Sequence, residues 1–174
     1  MKNSRLLLAI SLAVPCIAIA QATTASAIAG ADHNFMREAA QAGKAELQAS
    51  RLAVTKASDP AVKEFARLMV EDHTQADAKL AQVAQSKGVT LPTDPSADQK
   101  SVLKSLEGQS GAAFDKRYMD EFGVKAHQQT VSLFRKEADG GQDNDVKAFA
   151  QQTLPTLEKH LKHAVGMPKQ GAAQ

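Results

Sequence analysis

Length, composition and charge define the broad class of this protein. The chain has 174 residues, of which 43% are hydrophobic and only 4% aromatic, with no tryptophan. This is enough for one ordinary domain with a single core. The formal charge is only +2, which gives no long-range attraction to nucleic acid or to an anionic membrane, and the scarcity of aromatic residues argues against a base-stacking surface.

The first 27 residues have the pattern of a cleavable secretory signal peptide. Lys2 and Arg5 form a basic start, an apolar run extends from Leu6 to Ala20, and small residues suited to cleavage end at Ala20 or at Ala27. The alternative is an uncleaved membrane anchor, but the apolar run is shorter than the roughly 20 residues of a spanning helix. We therefore expect an exported protein, periplasmic or extracellular, whose mature chain has no transmembrane segment and balances 19 acidic residues with equally many basic ones.

The only cysteine, Cys16, lies inside the predicted signal peptide. Either cleavage removes it, so the mature protein has neither a disulfide nor a thiol nucleophile. Pro15 stands where a lipoprotein signal has a small residue, which argues against a lipid anchor on Cys16.

The rest of the chain has four long helical patterns and one short one, with no alternating strand pattern. The long patterns cover about residues 32–57, 59–87, 111–139 and 143–165, and a flexible tail is expected at 166–174. The short helix is opened by Ser96, with Gln99 at capping-box spacing. Asp143 or Asn144 is expected to cap the last helix.

The lengths of the connections indicate how these helices are arranged. Those at 57–59 and 140–142 are short and favour antiparallel hairpins, whereas about 22 residues separate the second long helix from the third. A short connection, then a long one, then another short one is typical of a ferritin-like four-helix bundle with one crossover. We predict such a domain at 32–165. The alternative is that the long connector folds back as a surface flap.

The inward face of each long helix consists of apolar residues and residues with small side chains, apart from one ionisable residue. These four residues are Glu46, His73, His127 and His160. At 1.5 Å per residue all four lie near the middle of their helices, so we expect them at a similar level of the bundle. Pro155, one turn before His160, removes a backbone hydrogen bond, and a kink there would move His160 toward or away from the others.

Two interpretations of this polar layer stay open. Three imidazoles and one carboxylate suit a single Zn, Cu, Ni or Fe ion, with Asp72 either orienting an imidazole or solvated. Without a metal, Glu46 accepts hydrogen bonds from the histidines in a buried network, and the protein is a structural or interaction module. His163, one turn beyond His160, is an alternative ligand. No nucleophile motif indicates an enzyme, and acid–base catalysis would need a cleft that reaches Glu46.

Three spaced stretches carry a resemblance to a known family. They are FARLMVEDH at 65–73, AH at 126–127 with VSLF at 131–134, and LPTLEKHL at 154–161. Over about residues 32–165 the chain resembles the exported bacterial proteins of the domain of unknown function 4142 (DUF4142) family, within the wider ferritin-like group. The resemblance implies the bundle fold but no activity. It indicates no partner, so an envelope protein or a second copy of the chain stays open.

The resemblance also bears on di-iron chemistry. Di-iron members of the ferritin-like group use a Glu from each of two helices and a Glu-x-x-His from each of the other two. Glu46 matches the first-helix carboxylate. However, Val70 and Leu157 replace the carboxylates that should precede the two motif histidines, and His127 replaces the third-helix Glu. The resemblance therefore does not extend to a di-iron centre.

Overall fold

The structure, a computed structural model, describes residues 28–167 and is entirely helical over that range. It comprises α1 (Gly30–Lys56), α2 (Pro60–Ser86), α3 (Ala97–Glu107), α4 (Gly111–Tyr118), a π-helical segment (Met119–Ala126), α5 (His127–Gly140) and α6 (Asn144–Gly166). The predicted all-α class is confirmed. The predicted signal peptide at 1–27 and the tail from 168 onward lie outside the described residues. Within 28–167, no helix has the length and apolar character needed to cross a membrane.

The helix starts follow from local capping chemistry. In α3 the Ser96 hydroxyl accepts a hydrogen bond from the backbone N–H of Gln99 (3.3 Å), and the Gln99 side chain accepts one from the backbone N–H of Ser96 (2.8 Å). This is the capping box expected from the sequence. Of the two candidates for the last helix, Asp143 is the cap, because its carboxylate accepts from two backbone N–H groups of the first turn of α6.

Two details of the long helices differ from a regular α-helical pattern. The helix expected at 111–139 is continuous, and its middle is π-helical from Met119 to Ala126, a feature that the spacing did not predict. Such segments are often found at functional sites. Helix α6 runs through Pro155 without a break and carries His160 in its buried face.

The helices contact one another in a closed order. Helix α1 packs along α2 and α5 packs along α6, while α2 also contacts α6 and α1 also contacts α5. Short connections at 57–59 and 141–143 join the members of each sequential pair. Helix α3, in the long connector, packs on α1.

A buried aspartate holds each short connection. Asp115 of α4 is fully buried and accepts hydrogen bonds from the backbone N–H groups of Ser58 (3.0 Å) and Asp59 (2.8 Å). Asp32, at the start of α1, is also fully buried and accepts from two backbone N–H groups of the 141–143 connection (3.1 and 2.7 Å). Each connection is thus tied by a carboxylate from the other half of the chain, which satisfies backbone donors at the helix ends.

The apolar core is divided into two clusters along the helix axes. One is built mainly from the α1–α2 connection end and contains Ala49, Ala53, Val62, Phe65, Met69, Leu106, Phe114, Tyr118 and Phe122 among others. The other, toward the α5–α6 connection, contains Phe35, Met36, Ala39, Leu80, Val131, Phe134, Val146, Phe149 and Leu157 among others. Along α2, α5 and α6 the buried His73, His127 and His160 lie between residues of the two clusters, and on α1 the buried Glu46 lies at the edge of the first cluster.

Candidate metal centre

A polar layer (Glu46, His73, His127 and His160) lies between the two apolar clusters. Its members come from α1, α2, α5 and α6, and their exposed fractions are 1%, 5%, 1% and 1%. The structure therefore brings together the four residues that the sequence places on inward seams. Burial of so many ionisable groups is rare unless each has a partner or a ligand.

The three histidines of this layer form a compact cluster. One ring nitrogen from each of His73, His127 and His160 lies within 4.8 Å of the other two. The ring centroids are 5.5 to 5.6 Å apart. Nevertheless, Nε2 of His73, Nε2 of His127 and Nδ1 of His160 are buried and have no hydrogen-bond partner among residues 28–167.

The outer nitrogens of two rings are fixed by hydrogen bonds. The Nδ1–H of His127 donates to the backbone carbonyl of Phe122 (2.7 Å), which belongs to the π-helical segment. The Nε2–H of His160 donates to Oδ2 of Asp72 (2.7 Å). When an imidazole is neutral, only one of its nitrogens carries a proton; in that form each of these rings has a lone pair on its unpartnered nitrogen.

Glu46 lies beside the three-histidine cluster and contacts the outer nitrogens of two of its rings. Its Oε2 is 3.2 Å from Nδ1 of His73, in a geometry that is not a hydrogen bond, and its Oε1 is 3.8 Å from Nδ1 of His127. The hydroxyl of Thr130 donates to Oε1 (3.2 Å). As the structure stands, Glu46 is placed to orient the imidazoles from outside the cluster, and Asp72 is placed to orient His160.

Burial sets the protonation of the layer. It lowers the pKa of His73 well below the ordinary imidazole value, and the neighbouring His127 and His160 lower it further. Burial also lowers the pKa of His160, against the opposing effect of its hydrogen bond to Asp72. The pKa of the Glu46 carboxyl is raised, again mainly by burial. His73 and His160 are therefore neutral near pH 7, which is the form that ligates metals.

A surface cleft of about 410 Å³ leads to this layer between α1, the start of α3, the π-helical segment and α5. Glu46 and Thr130 are part of its lining. A second crevice, of about 20 Å³, reaches Glu46 and His73 from the side of Asp77. The cleft that acid–base chemistry requires thus reaches Glu46, although Glu46 and the imidazoles are almost completely covered.

Some residues around the site were not identified from the sequence. Thr130 lies three residues after His127 on α5, a spacing that places both on one helix face, so its inward position was available as a signal. The Phe122 carbonyl was not, because side-chain sequence carries no information about which backbone oxygen faces a ring. His163 is exposed and packs edge-on against the Phe65 ring (5.3 Å between centroids), away from the cluster.

Fold and site together define an all-helical protein with a buried cluster of three histidines. The chain belongs to the family described as a domain of unknown function (DUF4142), whose profile matches residues 18–167. No curated protein is significantly similar to the chain in sequence.

Solved structures of other proteins share the fold. A DUF305 fragment from Deinococcus radiodurans superposes with a TM-score of 0.70 at 12% identity, covering 80% of this chain and 95% of that one. A "putative secreted protein DUF305" from Streptomyces coelicolor superposes with a TM-score of 0.65 at 13% identity, covering 77% of this chain and 88% of that one. A conserved hypothetical protein from Mycobacterium tuberculosis superposes with a TM-score of 0.60 at 18% identity, covering 78% of this chain and 95% of that one. At these identities the likeness establishes the fold alone.

Proposed function

We propose that this protein is exported and binds one transition-metal ion, Zn, Cu, Ni or Fe, at the centre of a ferritin-like four-helix bundle. Two observations carry the proposal: one ring nitrogen of each of the three histidines lies within 4.8 Å of the other two, and each ring has a buried nitrogen without a hydrogen-bond partner among the described residues. A buried polar atom left unpaired costs about 1–3 kcal/mol. A cation among the three nitrogens offsets that cost at all of them at once.

The donor set fits such an ion. Nε2 of His73, Nε2 of His127 and Nδ1 of His160 are the ligating atoms. Nitrogens bound to a tetrahedral ion at about 2.0–2.1 Å are about 3.3 Å apart. Starting from at most 4.8 Å, each ring moves inward by less than about 1 Å to reach that geometry. Imidazole ligands suit Zn, Cu, Ni and Fe, and Glu46 is the only carboxylate in the layer, so it supplies too few bridging oxygens for a di-iron centre.

The surroundings support metal binding as well. Ligating histidines usually donate their second nitrogen to a carboxylate or a backbone carbonyl. Asp72 and the Phe122 carbonyl are such acceptors here. Glu46 either orients His73 in the same way or turns to occupy a fourth coordination position, where a water would otherwise bind.

Two further parts of the proposal rest on coarser observations. The closed contact order of α1, α2, α6 and α5 supports the four-helix bundle, with α3 in the crossover connector. Export is supported by the basic and then apolar start of the sequence. A structural neighbour described as secreted is consistent with it.

Metal analysis of protein purified without a histidine tag tests the proposal. After chelator treatment the protein is offered Zn, Cu, Ni and Fe in turn, and we expect about one bound equivalent of at least one of them. His127→Gln is expected to abolish binding, whereas the matched control His163→Gln, on the exposed face of α6, keeps it. Less than about 0.1 equivalents of every metal in the wild type would end the proposal.

The competing function is a metal-free module of the cell envelope with a buried polar network. It is favoured by the bonds that the layer makes without any ion, from Thr130 to Glu46 and from His160 to Asp72. It predicts that neither metals nor chelators change the melting temperature of the wild type, and that His127→Leu behaves the same way.

A further inference from the structure

The cleft beside the polar layer has an acidic lining. Glu38, Asp98 and Glu121 line it near the surface and Glu46 lies at its inner end, whereas Lys125 is the single basic residue of its lining among residues 28–167. Glu121 is paired with Lys125 (3.2 Å) and Glu38 with Arg37 (3.0 Å). An excess of carboxylates in a concave site concentrates cations and raises their association rate.

Glu46 connects this cleft with the three-histidine cluster. It is 1% exposed, it lines the cleft, and its Oε2 accepts no hydrogen bond. The same carboxylate contacts His73 and His127. A cation bound by Glu46 from the cleft therefore lies on the Nδ1 side of these two rings, next to the three-histidine cluster.

The other crevice that reaches the layer is narrow. Its volume is about 20 Å³, barely enough for one water. Asp77, which lines it, forms an ion pair with Lys44 (2.5 Å) that joins α2 to α1. A hydrated cation has no comparable space on this side.

We propose that the acidic cleft is the access route by which a divalent cation reaches the three-histidine cluster, and that Glu46 is its transfer ligand. The inference rests on the proposed function and deepens it. The cation leaves its bulk hydration at the carboxylate-lined mouth, binds Glu46 at the inner end, and passes to the imidazole nitrogens. No covalent or redox step is involved.

Loading kinetics test this route. Zn²⁺ association with the chelator-treated full-length protein is followed by stopped flow against a chromophoric zinc chelator. Ala42→Phe fills the cleft, since Ala42 lines it, and Ala78→Phe, on the exposed face of α2, is the matched control. We expect Ala42→Phe to slow association about 10-fold or more, with one equivalent bound at the end point, while Ala78→Phe loads like the wild type.

Charge variants distinguish the effect of the carboxylates at the mouth of the cleft on the loading rate from the effect of Glu46. Glu121→Gln is expected to slow association several-fold at low salt, with the difference disappearing at high salt because exposed charges are screened. Glu46→Gln is expected to slow association at all salt concentrations. Asp77→Ala removes the ion pair beside the second crevice and is expected to leave the rate unchanged. Thermal melts of each variant confirm that it folds.

The possible outcomes distinguish a failure of the proposed access route from a failure of the proposed metal site. Absence of Zn²⁺ binding by the wild type, together with the absence of Cu, Ni and Fe, contradicts the proposed function. Stoichiometric binding with wild-type rates in both Ala42→Phe and Glu46→Gln overturns the route alone. Faster loading in Asp77→Ala, with no effect of Ala42→Phe, assigns access to the opposite crevice and also overturns it.

Discussion

Glu137 should make the stability of the fold depend on pH near neutrality. Its side chain is 5% exposed and lies one turn before the end of α5, beside the buried Asp32. Burial, followed by the Asp32 charge and the hydrogen bond shared with it, raises the Glu137 pKa from 4.5 to about 7. The folded state therefore holds a proton that the unfolded chain releases at lower pH.

The sign and size of the effect follow from linkage. Because the folded pKa is the higher one, the stabilisation is complete below pH 4.5 and is lost as the pH rises through about 7. At about 1.4 kcal/mol per pKa unit the shift corresponds to about 3 kcal/mol at most. Since the end of α5 is close to solvent, screening reduces this, and we expect a loss of about 1–2 kcal/mol between pH 5 and pH 8.

Urea unfolding with chelator present measures this loss. Glu137→Gln keeps the size of the side chain and can still donate to Asp32, but it cannot ionise. The free energy of unfolding of the wild type is expected to fall between pH 5 and pH 8 by about 1–2 kcal/mol more than that of Glu137→Gln. The histidines titrate equally in both proteins, so the difference isolates Glu137. Parallel pH curves for the two proteins, matching the exposed control Glu158→Gln, would refute the reasoning.

Further predictions concern the connections, the capping box and the metal. Asp115→Ala removes the buried acceptor of the partly buried backbone donors of Ser58 and Asp59, and should lower the free energy of unfolding by about 2 kcal/mol in a urea titration. The exposed Asp120→Ala should change it by less than about 0.5 kcal/mol. Ser96→Ala removes the α3 capping box and should cost about 1 kcal/mol in the same assay, with no loss of bound metal. A metal held by the three-histidine cluster, at 100 times its dissociation constant, should stabilise the wild type by about 2.7 kcal/mol in thermal melts but leave His127→Gln unchanged.

Helical periodicity was sufficient to predict the all-helical class and the faces that are buried. The three-and-four spacing places Glu46 and His160 on inward seams, and both are 1% exposed. The number of residues between each of them and the nearest short connection predicted that they lie at a similar height in the bundle, because each residue adds a fixed rise to a helix. The capping box at Ser96 was visible for the same local reason: it depends only on residues three apart.

Other features depend on contacts that sequence spacing does not contain. The π-helical segment before His127 is a change in backbone hydrogen bonding, and residues such as Phe122 fit either helix type. Asp32 and Asp115 resemble ordinary surface carboxylates in sequence, since their partners are backbone N–H groups more than fifty positions away. Metal ligation by the polar layer stays a prediction, because burial and proximity alone suit a hydrogen-bonded network too.

X-ray absorption at the metal edge of the loaded protein tests metal ligation by the three imidazoles most directly. We expect about three nitrogen scatterers near 2.0–2.1 Å with the multiple-scattering signature of imidazole rings, and loss of that signature in His127→Gln. A spectrum of oxygen ligands without imidazole scattering, unchanged in His127→Gln, would contradict a metal centre built on His73, His127 and His160.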